Sequence, residues 1–141
     1  MMKVLLDTNV LLDILIESRP LSAVSSTLLR IAKKGEIEAV ATTQSIIDAS
    51  YVYVERVKRP ILQFKESVAV LMSAVTLNSI NQGNIKAAVV GPMEDFEDAA
   101  QIDCAIESGC DAIISSDKKL KENGRVAVFT PTEILVRLFG E

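Results

Sequence analysis

Short apolar runs alternate with longer amphipathic stretches along the chain. Val4-Leu5-Leu6 sits between Lys3 and Asp7 and predicts a buried strand over Lys3–Leu6. A short run that is apolar without alternation suits a strand covered on both faces. Asn9–Ile16 reads as a short helix, closed by Pro20. Leu21–Lys34 carries Val24, Leu28, Leu29, Ile31 and Ala32 at helical spacing, and Gly35 stops it. Ile37–Ala41 predicts a second strand, and Thr43 is placed to cap a helix running to about Lys58. Pro60 suits the first turn of a helix to Met72, with Leu62, Val68, Leu71 and Met72 as its apolar side. Val75–Leu77 predicts a short strand, Asn78–Val90 a helix interrupted by Gly83, and Gly91-Pro92 a break. Glu94–Ser108 is a further helix ending at Gly109. Strands follow at Asp111–Ser115 and Val126–Phe129. Thr130-Pro131-Thr132-Glu133 has the form of a capping box with proline at the first helical position, so a terminal helix comes next.

Strands that alternate with helices imply an α/β fold, a mostly parallel sheet covered on both faces. At ~100–200 residues per domain, 141 residues make one domain spanning 1–141. Apolar residues are 49% and charged residues 24%, which excludes a disordered or fibrous chain. The 15 Lys plus Arg against 19 Asp plus Glu give a net charge of −4, so binding driven by overall basicity is excluded too. Cys104 and Cys110 cannot make a disulfide scaffold; the first reads as a small buried hydrophobe and the second as a turn residue. Asp7 and Asp13 interrupt the apolar start, which leaves neither a spanning segment nor a signal peptide, so the cytoplasm is the expected compartment.

The chain contains no histidine. Imidazole bases, serine or cysteine triads and histidine metal ligands are therefore absent, and the remaining chemistry belongs to carboxylates, hydroxyls, amines or an oxygen-liganded metal. In parallel sheets ligands bind outside the carboxyl ends of the strands. Asp7 directly follows the first strand and Asp117 follows the strand Asp111–Ser115. Asp48 lies in the first turns of the helix after the second strand, and Asp98 near the start of the helix that leads back into Asp111–Ser115. All four fall on one edge. Asp98 is in line with Ile102 and Ala105, heading an inward stripe, and Asp48 precedes Tyr51 and Val52 at i+3 and i+4. Partly buried carboxylates repel one another and need neutralising. A hard divalent cation does this, and all-oxygen ligation favours Mg²⁺ or Mn²⁺ over zinc. Acids at a helix N-terminus also serve the macrodipole, and Glu94, Asp95, Glu97 and Asp98 fit that use without a metal. Asp95 either joins the site or caps the helix. Asp103 points away from the Asp98 stripe, and Asp111 sits at the wrong end of its strand.

Val4 to Asp13 (VLLDTNVLLD), Thr42 to Asp48 (TTQSIID), Asp95 to Ala99 (DFEDA), Gly109 to Asp117 (GCDAIISSD) and Val128 to Glu133 (VFTPTE) together resemble the PIN-domain ribonucleases, including VapC-type toxins of bacterial toxin–antitoxin pairs. The resemblance covers essentially the whole chain and implies a three-layer α/β/α sandwich. It implies metal-dependent endoribonuclease activity that leaves a 5′-phosphate and a 3′-hydroxyl. Asp7, Asp98 and Asp117 would hold Mg²⁺ or Mn²⁺, with Asp48 completing the shell as the fourth catalytic acid, while Asp95 stays open between joining them and capping the helix. Asn9 matches the asparagine supporting the first acid, and Ser115 takes a hydroxyl position that is usually threonine. Thr8, Asn9 and Ser115 are candidates for bonds to water or phosphate. The second acid of the family is commonly glutamate; this chain has Asp48, one methylene shorter.

An acidic RNA-binding protein needs local basic surface. Arg56, Lys58 and Arg59 form one cluster; Lys118, Lys119, Lys121 and Arg125 form another near the acidic edge, with Lys118 and Lys119 the candidate RNA contacts. Aromatics are 4% with no Trp, which leaves little for base stacking. The resemblance also implies an antitoxin covering the acids, with an arginine among them, and a homodimer. The apolar helices Leu21–Lys34 and Pro60–Met72 supply either that interface or the core. The alternative is a PIN-like RNA-binding or assembly module with weak or lost nuclease activity. Asn9 stands where a haloacid-dehalogenase phosphatase needs its second aspartate, and Asp7-Thr8-Asn9 lacks the glycine-rich turn of a Rossmann domain.

Overall fold

In a computed structural model, which describes residues 1–140, the first strand is the centre of the fold. Strand β1 (Lys3–Leu6) pairs in parallel with β2 (Glu38–Thr42) on one side and β4 (Ala112–Ile114) on the other. Strands β3 (Val75–Asn78) and β5 (Ala127–Phe129) complete a five-stranded parallel sheet in the order β3-β2-β1-β4-β5. Helices α1 (Thr8–Leu15), α2 (Ser22–Lys33), α3 (Thr43–Tyr51), α4 (Ile61–Leu71), α5 (Gln82–Val90), α6 (Phe96–Glu107) and α7 (Pro131–Phe139) fill the connections.

Successive strand residues point to opposite faces, and β1 is fully buried from Val4 to Leu6. Val4 and Leu6 join Ile114, Leu11 of α1, Leu28 and Ile31 of α2 and Ile134 of α7 on one face. Leu5 joins Ile113, Leu120 and Ile102 and Ala105 of α6 on the other. The result is the expected α/β/α sandwich. A third cluster, Leu12, Leu15, Ile16, Ala49, Tyr53 and Phe64, lies between α1, α3 and α4. Helix α2 turns its apolar side into the core, whereas α4 divides: Phe64 and Leu71 are buried, and Ile61, Leu62 and Val70 are exposed. Among the described residues no helix is long and apolar enough to cross a membrane.

Three helix readings need correction. The stretch expected as one helix from Thr43 to Lys58 is α-helical only to Tyr51; Val52–Arg56 forms a π-helical turn, closed by Val57 N–H to the Val52 carbonyl at 2.9 Å. The wider turn buries Tyr53 completely and leaves Tyr51 exposed, so the inward aromatic is not the one that α-helical spacing selects. Lys58 then reverses the chain at φ 62°. The cap of α3 is Thr42, whose hydroxyl accepts Ser45 N–H at 3.0 Å, and not Thr43. Asn78 belongs to β3, paired with Thr42, and α5 begins only after the reciprocal Asn81–Asn84 cap. Helix α6 begins at Phe96, two residues later than expected, because Asp95 is its cap. The terminal capping box of Thr130 and Glu133 forms as expected.

Candidate active site

The carboxyl edge of the sheet is where Asp7, Asp48, Asp98 and Asp117 all lie. Asp7 leaves β1 and caps α1, and four hydrogen bonds fix its carboxylate. Oδ1 accepts Thr8 N–H at 2.8 Å and Gln101 Nε2 at 3.1 Å. Oδ2 accepts Ser115 Oγ at 2.7 Å and Asn9 Nδ2 at 3.2 Å. Only 9% of Asp7 is exposed, so these bonds answer the cost of withdrawing a charge from water. Ser115 Oγ also accepts Asp117 N–H at 3.0 Å, and Asn9 Oδ1 accepts Ser116 N–H at 3.1 Å. The loops after β1 and β4 are thereby tied together, with the supporting roles of Asn9 and Ser115 visible as contacts. Thr8 instead turns its hydroxyl to Ser45 Oγ, 2.8 Å away.

Asp98 stands in the first turn of α6, half-buried. Partial burial first, then Asp95, Asp7 and Asp117, push its carboxyl up from 3.8 to about 6. Asp117 is exposed and accepts Lys119 N–H at 3.0 Å. Asp95 is exposed and accepts Asp98 N–H at 2.9 Å, so it caps the helix while adding to the negative field. An open cavity of ≈ 670 Å³ is lined by Asp95, Asp98, Asp117, Lys119, Glu122 and Asn123. Lys118 and Lys119 form no ion pair among the described residues, whereas Lys121 pairs with Glu133, Arg125 with Asp103 and Arg59 with Glu17. The two expected basic clusters thus reduce to fewer free cations. Asp111 accepts Lys3 N–H at the opposite edge, as expected, and Cys104 is buried.

Asp48 keeps different company. Gln44 Nε2 donates to its Oδ1 at 2.9 Å, and the Glu97 carboxyl faces it within hydrogen-bonding reach. Partial burial, then Asp48, Asp95 and Asp98, raise Glu97 to about 7. Glu97 therefore links Asp48 to Asp98, a role the sequence did not disclose because a helix-start glutamate has an ordinary macrodipole use. Gln101 and Ser45 were missed as well. Each lies three residues from an acid on the same helix face, Gln101 after Asp98 and Ser45 before Asp48, which is the signal that could have found them.

The donor set fits a hard divalent cation in its chemistry: oxygen ligands throughout and mutually repelling carboxylates from three separate elements. Among the described residues, though, no three carboxylates as placed stand close enough to clasp one ion.

A parallel α/β/α sandwich with acids gathered at the carboxyl edge of β1 and β4 defines the class. The PIN domain family matches residues 3–119, and the chain belongs to that family. Its fold is that of VapC toxins. Mycobacterium tuberculosis VapC20, described as a sarcin–ricin loop cleaving toxin, superposes with a TM-score of 0.69 at 12% identity, over 89% of this chain and 98% of that one. A toxin–antitoxin complex from Klebsiella pneumoniae gives a TM-score of 0.67 at 18% identity, over 91% and 97%. PAE2754 from Pyrobaculum aerophilum gives 0.65 at 19% identity, over 99% and 91%. No curated protein matches in sequence.

Proposed function

We propose that this protein is a metal-dependent endoribonuclease, the toxin of a toxin–antitoxin pair. The observation that carries the reading is the gathering of Asp7, Asp95, Asp98 and Asp117 at one edge of the sheet, where partial burial first, and then the other three carboxylates, push Asp98 up to about 6. Asp7 and Asp95 cap helices, but capping does not require four carboxylates to converge at the edge where parallel sheets bind ligands. Asp7, Asp98 and Asp117 would hold Mg²⁺ or Mn²⁺, with Asp48 and Asp95 nearby. The ion would lower the pKa of water at the site and neutralise the phosphate. Asp7, locked by four hydrogen bonds, is the fixed reference of the site. Asn9 and Ser115 position it and hold the Asp117 loop against it. Lys118 and Lys119 steer the RNA backbone toward the acids.

The partner reading is an antitoxin segment that brings an arginine to the carboxylates, since a bidentate guanidinium neutralises them as a cation does. The Klebsiella pneumoniae toxin–antitoxin complex supports it by likeness of fold. The exposed Ile61, Leu62 and Val70 of α4 support a homodimer. Asp48, one methylene shorter than the family's usual glutamate, leaves room for a second reading, an RNA-binding or assembly module without cleavage. Titration calorimetry with Mn²⁺ separates the two. A nuclease binds Mn²⁺ and loses about tenfold or more of that affinity in Asp7→Asn and Asp98→Asn. Equal behaviour of the wild type and both variants supports the module.

A further inference from the structure

A buried chain of polar side chains joins α1, α3 and α6 at the carboxyl edge. Gln101 follows Asp98 by about one turn of α6 and is 3% exposed; Ser45 precedes Asp48 by about one turn of α3 and is 2% exposed. The donors fix the direction of each bond. Thr8 Oγ1 and Thr42 Oγ1 donate to Ser45 Oγ at 2.8 and 3.1 Å. With both lone pairs of its oxygen engaged, Ser45 turns its own proton to Gln101 Oε1, 3.5 Å away. The Gln101 amide is thereby oriented, with its oxygen toward α3 and its nitrogen donating to Asp7 Oδ1 at 3.1 Å. Among the described residues no other side chain bonds Oδ1, whose second donor is the adjoining Thr8 N–H; Oδ2 is held by Ser115 and Asn9.

We propose that Gln101 is a positioning residue of the acidic site: its amide, aimed by the Ser45 hydroxyl, sets the plane of the Asp7 carboxylate and keeps α6, with Asp98, and α3, with Asp48, in register with it. The proposal rests on the nuclease reading above and adds to it a residue that acts through Asp7. A group that orients a cation's ligand matters although it never touches the cation. A residue placed here for packing alone would be apolar, as its neighbours Ala99, Ala100 and Ile102 are. A buried glutamine must instead find a partner for both ends of its amide, and one of those it finds is a carboxylate of the site. The gap between a hydroxyl proton and a carboxylate requires a neutral group with an acceptor at one end and a donor at the other. Glutamate would fill the same length but set a like charge against Asp7.

The test uses the full-length protein. Gln101→Met keeps the length and loses the amide; Ser45→Ala loses the hydroxyl and keeps the Thr42 cap, which is made to the backbone N–H. Calorimetric titration with Mn²⁺ should show affinity reduced about tenfold in Gln101→Met and about threefold in Ser45→Ala. The double variant should be no weaker than Gln101→Met alone, because Ser45 acts through the amide. With RNA, kcat should fall and KM should hold, since Lys118 and Lys119 are untouched. Thermal melts establish that each variant is folded. A side chain that only packs would shift the melting temperature and leave Mn²⁺ affinity and kcat alone; that result overturns the proposal, as does additivity in the double variant. A measurement on the ¹⁵N-labelled wild type needs no variant. Mg²⁺ should shift the Gln101 Nε2–H signals and leave in place those of Asn84, a buried amide bonded to Asp103. Unmoved Gln101 signals would overturn the proposal too. If no RNA is cut while Mn²⁺ affinity still falls in this order, the positioning role stands and the nuclease reading falls. A wild type that binds no Mn²⁺ overturns both.

Discussion

The electrostatics of Asp98 show what the site costs the fold. Its carboxyl moves from 3.8 to about 6 on folding, so folding favours the protonated form. The stability attached to this proton is full below about pH 4 and is lost as pH rises through about 6; for Glu97 the loss continues through about 7. Metal-free protein should therefore melt higher at pH 5 than at pH 7.5. Asp98→Asn should remove part of that difference and leave the share of Glu97. Because Asp98 is half exposed, screening reduces the effect to roughly 1 kcal/mol, or about 2–4 °C in Tm. Calorimetric melts across pH check it; a variant that melts lower at pH 7.5 would contradict the repulsion. Asp7, Asp98 and Asp117 were legible as candidates because each borders an apolar strand or heads an inward stripe, and Asp48 because its helix follows the second strand. Glu97, Gln101 and Ser45 were not, since a glutamate, a glutamine and a serine on helices have many ordinary uses.

At the scale of elements, the corner between α1 and α2 carries a buried ion pair. The Asp13 side chain is 5% exposed and accepts Arg19 Nε at 2.8 Å and Ser25 Oγ at 3.1 Å, while the Arg19 side chain keeps 34% of its surface in water. The two partners are therefore unequal. Arg19→Met strands a buried carboxylate and should cost about 3 kcal/mol. Asp13→Asn retains a partner for Ser25 and lets the arginine rehydrate, costing about 1 kcal/mol. Urea unfolding of both variants decides; an equal or reversed order would contradict the asymmetry. The strands and most helices were legible from apolar runs, caps and the glycines that stop them. The π-helical turn at Val52–Arg56 was not, because its hydrogen bonding follows from burying Tyr53 between Leu12 and Phe64 and not from local spacing. The starts of α5 and α6 were displaced for a different reason: Asn81 and Asp95 are caps, and each ends a non-helical segment that periodicity alone cannot see.

The whole molecule is acidic, with a net charge of −4, and yet is proposed to hold RNA. Its ion pairs consume Arg59, Lys121 and Arg125, which leaves Lys118 and Lys119 beside the acids as the phosphate contacts. RNA affinity should fall only gently with salt. Lys118→Ala and Lys119→Ala should each reduce the slope of log K against log[salt] by about 0.7 in fluorescence-anisotropy titrations, with little change in sequence preference. An unchanged slope would place the RNA elsewhere. The parallel direction of the strands was readable because they alternate with helices, and the edge chemistry followed from that direction; the order β3-β2-β1-β4-β5, with β1 in the middle, was not, since it depends on which strands pair across the chain. The central claim is that the acids at this edge cut RNA. Wild-type, Asp7→Asn and Asp98→Asn proteins, free of any partner, should be incubated with structured and unstructured RNAs in Mn²⁺ and in EDTA. Cleavage by the wild type in Mn²⁺ alone, lost in both variants, is the predicted result; cleavage that survives EDTA or either substitution would contradict it.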